Sequence, residues 1–179
     1  GDSRAILVRN GKAIPLTEDH KPTRKDEEQR IKEAGGHVIV TSRGLARVAH
    51  NRIAAGLGTS STANYKLGLS VSRAFGDRDF KTPHELVTAQ PEIVNIKLCR
   101  DDLFLLLACD GVWDVLSNQE VANVAAAHLA LFDAKRAAKA VVEAAQKRGS
   151  GDDLTVQITL FRHNKKRIRD IMEEQAQRR

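Results

Sequence analysis

The sequence predicts an α+β fold in which antiparallel sheet is covered by helices. Two observations favour this class: alternating apolar runs follow one another as adjacent hairpins, and long helical patterns with their own start and stop signals lie between and after them. No internal repeat is present. The chain has 179 residues, of which 41% are hydrophobic. This is enough for one domain with a sizeable core.

The chain opens directly with a predicted hairpin. Residues 1–17 alternate on both sides of Asn10 and Gly11, a pair typical of a two-residue primed turn. A domain seldom begins within a hairpin, and the single methionine, Met172, is far from the start. We therefore expect the sequence to be part of a longer protein.

The second predicted unit is a helix followed by a strand. Thr23 is a candidate capping residue, and Ile31 and Ala34 fall on one face of the following turns. The glycine pair 35–36 then ends the helix, and the run 37–41, "HVIVT", is a short strand.

The later helices also have start and stop signals in the sequence. Ser117 and Glu120 form the S-x-x-E pattern of a capping box, and Gly149 stops an alanine-rich helix. The predicted elements are a loop at 54–68, strands at about 92–98 and 103–109, helices from Ser117 to about Leu131 and from Asp133 to Arg148, and a strand at 154–161.

The net charge of +6 is concentrated in the tail. Residues 162–179 hold seven basic and three acidic side chains, a net charge of +4. Ile168, Ile171 and Met172 recur there at helical spacing, which favours a solvated terminal helix or tail. A patch for nucleic acid or acidic membrane is the alternative, but no aromatic residue is interleaved with the basic ones. No apolar run reaches the roughly eighteen residues of a membrane span.

The two cysteines, Cys99 and Cys109, lie in apolar surroundings that resemble strands. We interpret them as small core residues of a protein in a reducing compartment. A soluble protein of the cytoplasm or nucleus is the corresponding expectation.

Several aspartates lie directly before or after predicted strands. Asp110 and Asp114 come after the apolar run 105–108, and Asp152 and Asp153 precede the last strand. Asp2 stands before the first strand. Clustered carboxylates without histidine or cysteine suit Mg²⁺ or Mn²⁺. Each residue taken alone is equally compatible with a turn, and the Asp152-Asp153 pair with an Asx turn.

Six motifs occur in order along the chain: "GDSRAILVRNGKAIPLTEDHKP", "RIKEAGGHV", "LSVSRAFGDRDFK", "QPEI", "LLACDGVWDVLSNQEV" and "GSGDDLTV". Together they resemble metal-dependent serine/threonine protein phosphatases of type 2C, the PPM family. The resemblance extends to about Phe161. It makes residues 1–161 similar to the later part of that catalytic domain, a four-layer α-β-β-α sandwich, and leaves 162–179 as a basic helix or tail.

The resemblance implies metal-dependent hydrolysis of phosphoserine and phosphothreonine on proteins by a metal-activated water. Asp110 and Asp152 match ligands of the family's central pair of Mg²⁺ or Mn²⁺ ions. Asp2 and Asp114 match residues that hold a third, weaker ion in some members. The supporting residues are expected to brace the site or the sheet, with Trp113 as core packing behind the metal loop. These supporting residues are Arg4, Arg73, Asp77 and Asp153.

The chain also departs from the family pattern. The upstream D-G-H motif, with its bridging aspartate, is absent from the 179 residues. Asp153 replaces the usual asparagine, and residues 49–68 are longer than the usual connection beside the cleft. We expect that insertion to influence which phosphoprotein docks.

Two classes of function therefore compete. One is an active phosphatase of which this chain is the later part, inactive by itself. The other is a phosphatase-like module that binds a partner or a phosphopeptide without hydrolysis. Missing strands would leave sheet edges open, so we expect the isolated chain either to associate with another polypeptide through these edges or to aggregate.

Overall fold

The structure is a computed structural model that describes residues 1–42, 44–49, 68–129 and 132–161. The chain forms two compact units. The first comprises Gly1–Asp2 and Asp19–Ile93, and the second comprises Ser3–Glu18 with the chain from Val94 onward. Within the described ranges, no helix has the length and apolar character needed to cross a bilayer.

The second unit begins with the predicted hairpin. Strands β1, Arg4–Arg9, and β2, Lys12–Pro15, pair antiparallel. Asn10 and Gly11 between them have φ values of 49° and 77°. Two consecutive positive φ values are what a primed turn requires, so the predicted turn is confirmed.

Strand β5, Asp102–Ala108, is an inner strand of a four-stranded antiparallel sheet. It pairs with β1 on one side and with β6, Val156–Leu160, on the other, so the strand order is β2-β1-β5-β6. Phe104 and Leu106 are fully buried in the core. An inner strand has neighbours along both edges and a core against one face. The nearly continuous apolar run of β5 suits this position, because few of its side chains meet water.

Three helices complete the second unit: α2, Asp110–Trp113, α3, Asn118–Ala127, and α4, Ala134–Lys147. The predicted capping box at Ser117 and Glu120 is present. Helix α3 ends at Ala127, earlier than predicted, because the backbone of His128 leaves helical geometry. Helix α4 has the predicted bounds within one residue.

The first unit contains α1, Lys25–Glu33, and an antiparallel pair of strands, β3, His37–Val40, and β4, Ala46–Ala49. Its core consists of Ile31, Val48, Leu86 and Val87. Arg24 occupies the N-cap without a side-chain cap bond, so the prediction of Thr23 as the cap is wrong. The physical reason is that the Arg24 guanidinium binds Asp26 in the first turn instead, at 2.7 and 2.8 Å.

Two further predictions need correction. Residues 92–98 form no strand, and Cys99 is exposed while Cys109 is only half-buried. A strand needs a neighbouring ladder of hydrogen bonds, and the backbone of 93–98 makes none with any described residue. Both cysteines are free. The predicted loop at 54–68, apart from Gly68, and the tail 162–179 lie outside the described residues.

Candidate metal centre

The candidate centre begins where β5 changes into α2. Cys109 has an extended backbone, with φ −77° and ψ 171°, and Asp110 is the first residue of the helix. The N–H of Asp114 donates to the carbonyl of Asp110 at 2.8 Å. Asp110 is half-buried and Asp114 is exposed. The rigid central strand thus fixes the position of one carboxylate, and a single helical turn fixes the other.

The loop 149–155 is fastened to this turn by several polar contacts, among them the backbone N–H of Cys109, which donates to the carbonyl of Thr155 at 3.3 Å. Ser150 Oγ donates to the carbonyl of Gly111 at 2.7 Å. The Cys109 thiol donates to the carbonyl of Asp153 at 3.1 Å, and the N–H of Thr155 donates back to Cys109 Sγ at 3.2 Å. Sequence reasoning did not predict this role for Cys109 and Ser150.

Gly111 allows the two loops to approach closely. A Cβ at this position would lie 2.6 Å from the carbonyl oxygen of Asp153 and 3.2 Å from Cβ of Asp152. Any larger residue would push the loop away. The structure therefore brings the chain around Asp110 into contact with the chain around Asp152, although these residues are 42 positions apart in the sequence.

The other predicted site residues divide between the two units. Asp152 and Asp153 are exposed in the second unit, where the N–H of Asp153 donates to Asp152 Oδ1 at 2.7 Å. Asp2 belongs to the first unit and forms an ion pair with Lys21. The contact within the second unit thus concerns Asp110 and Asp152, with Asp114 one turn further along the chain.

Arg4 and Trp113 connect the turn at Asp110 to the neighbouring strands and helix. Trp113 is buried, as predicted, and its Nε1 donates to the carbonyl of Ala108 at 2.8 Å, at the end of β5. The guanidinium carbon of Arg4 lies 5.1 Å from the centre of the Trp113 ring, and Arg4 Nη1 donates to Asn118 Oδ1 at 2.7 Å. These contacts connect β1, α2 and the start of α3.

Arg73 belongs to a separate network in the first unit. Its Nη2 atom lies 2.6 Å from Glu27 Oε1 and 3.0 Å from Glu92 Oε1. Glu27 is 1% exposed. Burial by itself would raise the pKa of Glu27, but hydrogen bonds from Arg73, Ser72 and Arg30 outweigh it and lower this pKa to about 2. Asp77 is exposed, with φ 50°, and occupies the N-cap position of a 3-10 turn at Arg78–Phe80 without a side-chain cap bond.

The first unit also contains a cluster of carboxylates that the sequence analysis missed. Oxygens of Asp26, Glu27 and Glu92 lie within 4.8 Å of one another, at the one place where the described residues group three such side chains so closely. Arg24 contacts all three carboxylates, and Arg73 contacts two of them. Guanidinium groups therefore already neutralise this cluster, and it is a structural ion-pair network.

The chemistry of the residues at the junction of the two loops does fit a divalent cation. Asp110 and Asp152 supply carboxylate oxygens, the donors that Mg²⁺ and Mn²⁺ prefer. The close packing at Gly111 holds together the two backbone segments that carry Asp110 and Asp152. Metal binding by these residues stays a prediction.

Comparison with known sequences identifies the family. The sequence profile described as protein phosphatase 2C matches residues 1–154. The chain belongs to the protein phosphatase 2C family. This confirms the resemblance drawn from the six motifs.

Curated relatives of the 2C family match most of this chain. It is 40% identical over 163 residues to "Probable protein phosphatase 2C 59" of Arabidopsis thaliana, covering 90% of this chain and 44% of that protein. It is 34% identical over 168 residues to "Protein phosphatase 1B" of Homo sapiens, covering 90% and 30% respectively. The chain thus spans less than half the length of these relatives.

Solved structures agree with the family assignment. A phosphatase from Toxoplasma gondii superposes with a TM-score of 0.72 at 32% identity, covering 91% of this chain and 46% of that one. A sex-determining protein of C. elegans superposes with a TM-score of 0.77 at 26% identity, covering 96% and 38% respectively. The predicted α+β sandwich class is therefore confirmed.

Proposed function

We propose that the protein to which this chain belongs hydrolyses phosphoserine and phosphothreonine on other proteins with the help of Mg²⁺ or Mn²⁺. In the reaction, water adds to phosphorus, the bond from phosphorus to the serine or threonine oxygen breaks, and that oxygen receives a proton. The observation that carries the proposal is the close packing of the Asp110 turn on the Asp152 loop at Gly111.

We assign two cations to ligands that include Asp110 and Asp152. Bound cations would supply the charge that activates water and neutralises the phosphoryl oxygens. The protein's own part is to keep the carboxylates in place before a metal arrives. Ser150, Cys109 and Gly111 support this role because their contacts hold the two loops together.

Arg4 and Trp113 are assigned a positioning role. The Trp113 indole binds the last carbonyl of β5, and the Arg4 guanidinium packs on the indole ring. Both side chains therefore limit how far the Asp110 turn can tilt from the sheet. Arg73 is assigned to the stability of the first unit, because its partners are Glu27 and Glu92.

A phosphatase-like module without activity is the second candidate. Such a module would lack the bridging aspartate that the family pattern takes from a D-G-H motif. Such a module would bind a phosphoprotein without releasing phosphate.

The test is phosphate release from a phosphothreonine peptide by the full-length gene product, measured with Mn²⁺ and with EDTA. Activity that needs Mn²⁺ and falls at least a hundredfold in Asp110→Asn supports the proposal. A matched control is Glu143→Gln, a change of charge on a carboxylate that is 61% exposed on α4. Binding of the peptide without phosphate release at any Mn²⁺ concentration would instead establish the binding module.

A further inference from the structure

Asp2, which the family resemblance associates with a third, weaker cation, already has a cationic partner within the first unit. Its carboxylate forms an ion pair with the ammonium group of Lys21. The Asp2 side chain is only 13% exposed and that of Lys21 37%. Further residues of a longer protein can only lower these exposures. A carboxylate so nearly buried needs a compensating positive charge, which either an internal cation or a metal ion can supply.

The backbone that carries Lys21 is fixed relative to Asp2 by hydrogen bonds. The N–H of His20 donates to the carbonyl of Gly1 at 3.1 Å, so the residues that directly precede the two partners are joined. The carbonyl of His20 accepts from the N–H and from the hydroxyl of Ser72, at 2.8 and 2.9 Å. Ser72 is fully buried. The ion pair therefore belongs to a fixed backbone arrangement and is not a chance contact between two mobile side chains.

Lys21 meets the electrostatic need of this carboxylate by itself. Its ammonium group carries one positive charge at neutral pH and contacts Asp2 Oδ2, one of the two oxygens that a metal ion would use. A divalent ion at Asp2 would have to displace the ammonium group or tolerate its like charge nearby, and both cost free energy. The residues present at Asp2 therefore do not fit the third cation that the family resemblance implies.

Asp152 shows the opposite situation in the second unit. Its Oδ1 accepts the N–H of Asp153 at 2.7 Å, and it makes no ion pair with any described residue. Both aspartates were expected as metal ligands from their motifs. The difference is that the charge of Asp152 is available for a cation, whereas that of Asp2 is already balanced.

We infer that Lys21, and not a metal ion, balances the charge of Asp2, and that the pair serves to anchor the segment 19–21 to the start of the chain. This differs from the role that the family resemblance implies for Asp2. It also goes beyond the proposed function, in which the cations are assigned to Asp110 and Asp152.

A double-mutant cycle in EDTA tests the ion pair without any metal. In the full-length gene product, Asp2→Asn and Lys21→Met should each lower the melting temperature by about 2 °C or more. The double variant should melt no lower than the less stable single variant, because both changes remove the same interaction. The matched cycle is Glu28→Gln with Lys32→Met, a surface pair on α1 that should show little coupling. Additive effects of the Asp2 and Lys21 substitutions would overturn the inference.

Mn²⁺ titration of the same proteins, followed by the electron paramagnetic resonance of free Mn²⁺, tests the metal directly. Asp2→Asn should bind as many Mn²⁺ ions as the unmodified protein and with unchanged affinity, whereas Asp110→Asn should bind fewer. Loss of one Mn²⁺ ion in Asp2→Asn, or binding about tenfold weaker, would overturn the inference. If the unmodified protein bound no Mn²⁺, the proposed function would fail, and the cycle in EDTA would still decide whether Lys21 balances Asp2.

Discussion

The carbonyl oxygen of Asp153 lies 2.6 Å from the position that a Cβ on Gly111 would occupy. This closeness joins two segments that carry candidate metal ligands, Asp110 directly before Gly111 and Asp152 directly before Asp153. Glycine is needed here because of the space and not because of its backbone angles. The site therefore depends on a backbone contact as well as on carboxylates.

Gly111→Ala should separate the two loops. The added methyl group meets backbone and cannot be accommodated by a side-chain rotation, so we expect a loss of stability of about 1–3 kcal/mol. Affinity for Mn²⁺ should fall about tenfold. Thermal melts and Mn²⁺ titration measure the two effects. Gly151→Ala is the matched control in the same loop, because nothing lies within 4 Å of its added Cβ. Equal behaviour of the two variants would contradict the role of the contact.

Two serines provide a matched pair of substitutions. Ser150→Ala removes the hydrogen bond to Gly111, and Ser117→Ala removes the cap of α3. Each should cost about 1 kcal/mol of stability. We expect only Ser150→Ala to weaken Mn²⁺ binding as well, measured by calorimetry. If Ser117→Ala weakened binding to the same extent, a general loss of stability would explain both effects.

Because Glu27 is ion-paired in the folded protein, we expect the stability of the protein to depend on pH in the acid range. The pKa of this carboxyl is lowered from 4.5 to about 2 in the folded protein, so only the unfolded chain takes up a proton between these values. The free energy of unfolding should therefore fall as the pH drops from about 4.5 towards 2. Urea unfolding at several pH values measures this slope.

Glu27→Gln should flatten that acid slope and lower stability at neutral pH, where Arg73 and Arg30 lose a charged partner. The expected loss at neutral pH is about 3 kcal/mol, because one member of a buried ion pair is removed. Glu28→Gln is the control on the same helix, since its pair with Lys32 is at the surface. An unchanged acid slope in Glu27→Gln would show that other carboxylates cause the acid sensitivity.

Local signals predicted most of the fold. The Asn10-Gly11 turn, the capping box at Ser117 and the helix stop at Gly149 depend on neighbouring residues, and the structure contains all three. The predicted strand at 92–98 failed because a strand also depends on a partner distant in sequence. Thr23 failed as a cap because Arg24 occupies the N-cap position, where its guanidinium binds both Asp26 in the first turn and the distant Glu92.

The candidate site was predictable only in part. The carboxylates could be named from their motifs, and Trp113 could be named as core. The contacts of Cys109 and Ser150 could not, because they join segments about 40 residues apart through backbone carbonyls, which carry no sequence signal. The buried Glu27 was missed for a similar reason: its three arginine partners come from both its own helix region and a distant segment.

The most direct test of the account is Mn²⁺ binding to this chain, followed by isothermal titration calorimetry in the unmodified protein, in Asp110→Asn, in Asp152→Asn and in the control Glu143→Gln. We predict that the unmodified chain and the control bind Mn²⁺, and that either aspartate variant binds at least tenfold more weakly while keeping its melting temperature within a few degrees. Equal Mn²⁺ affinity in all four proteins would contradict the central claim that the Asp110 turn and the Asp152 loop form a metal site.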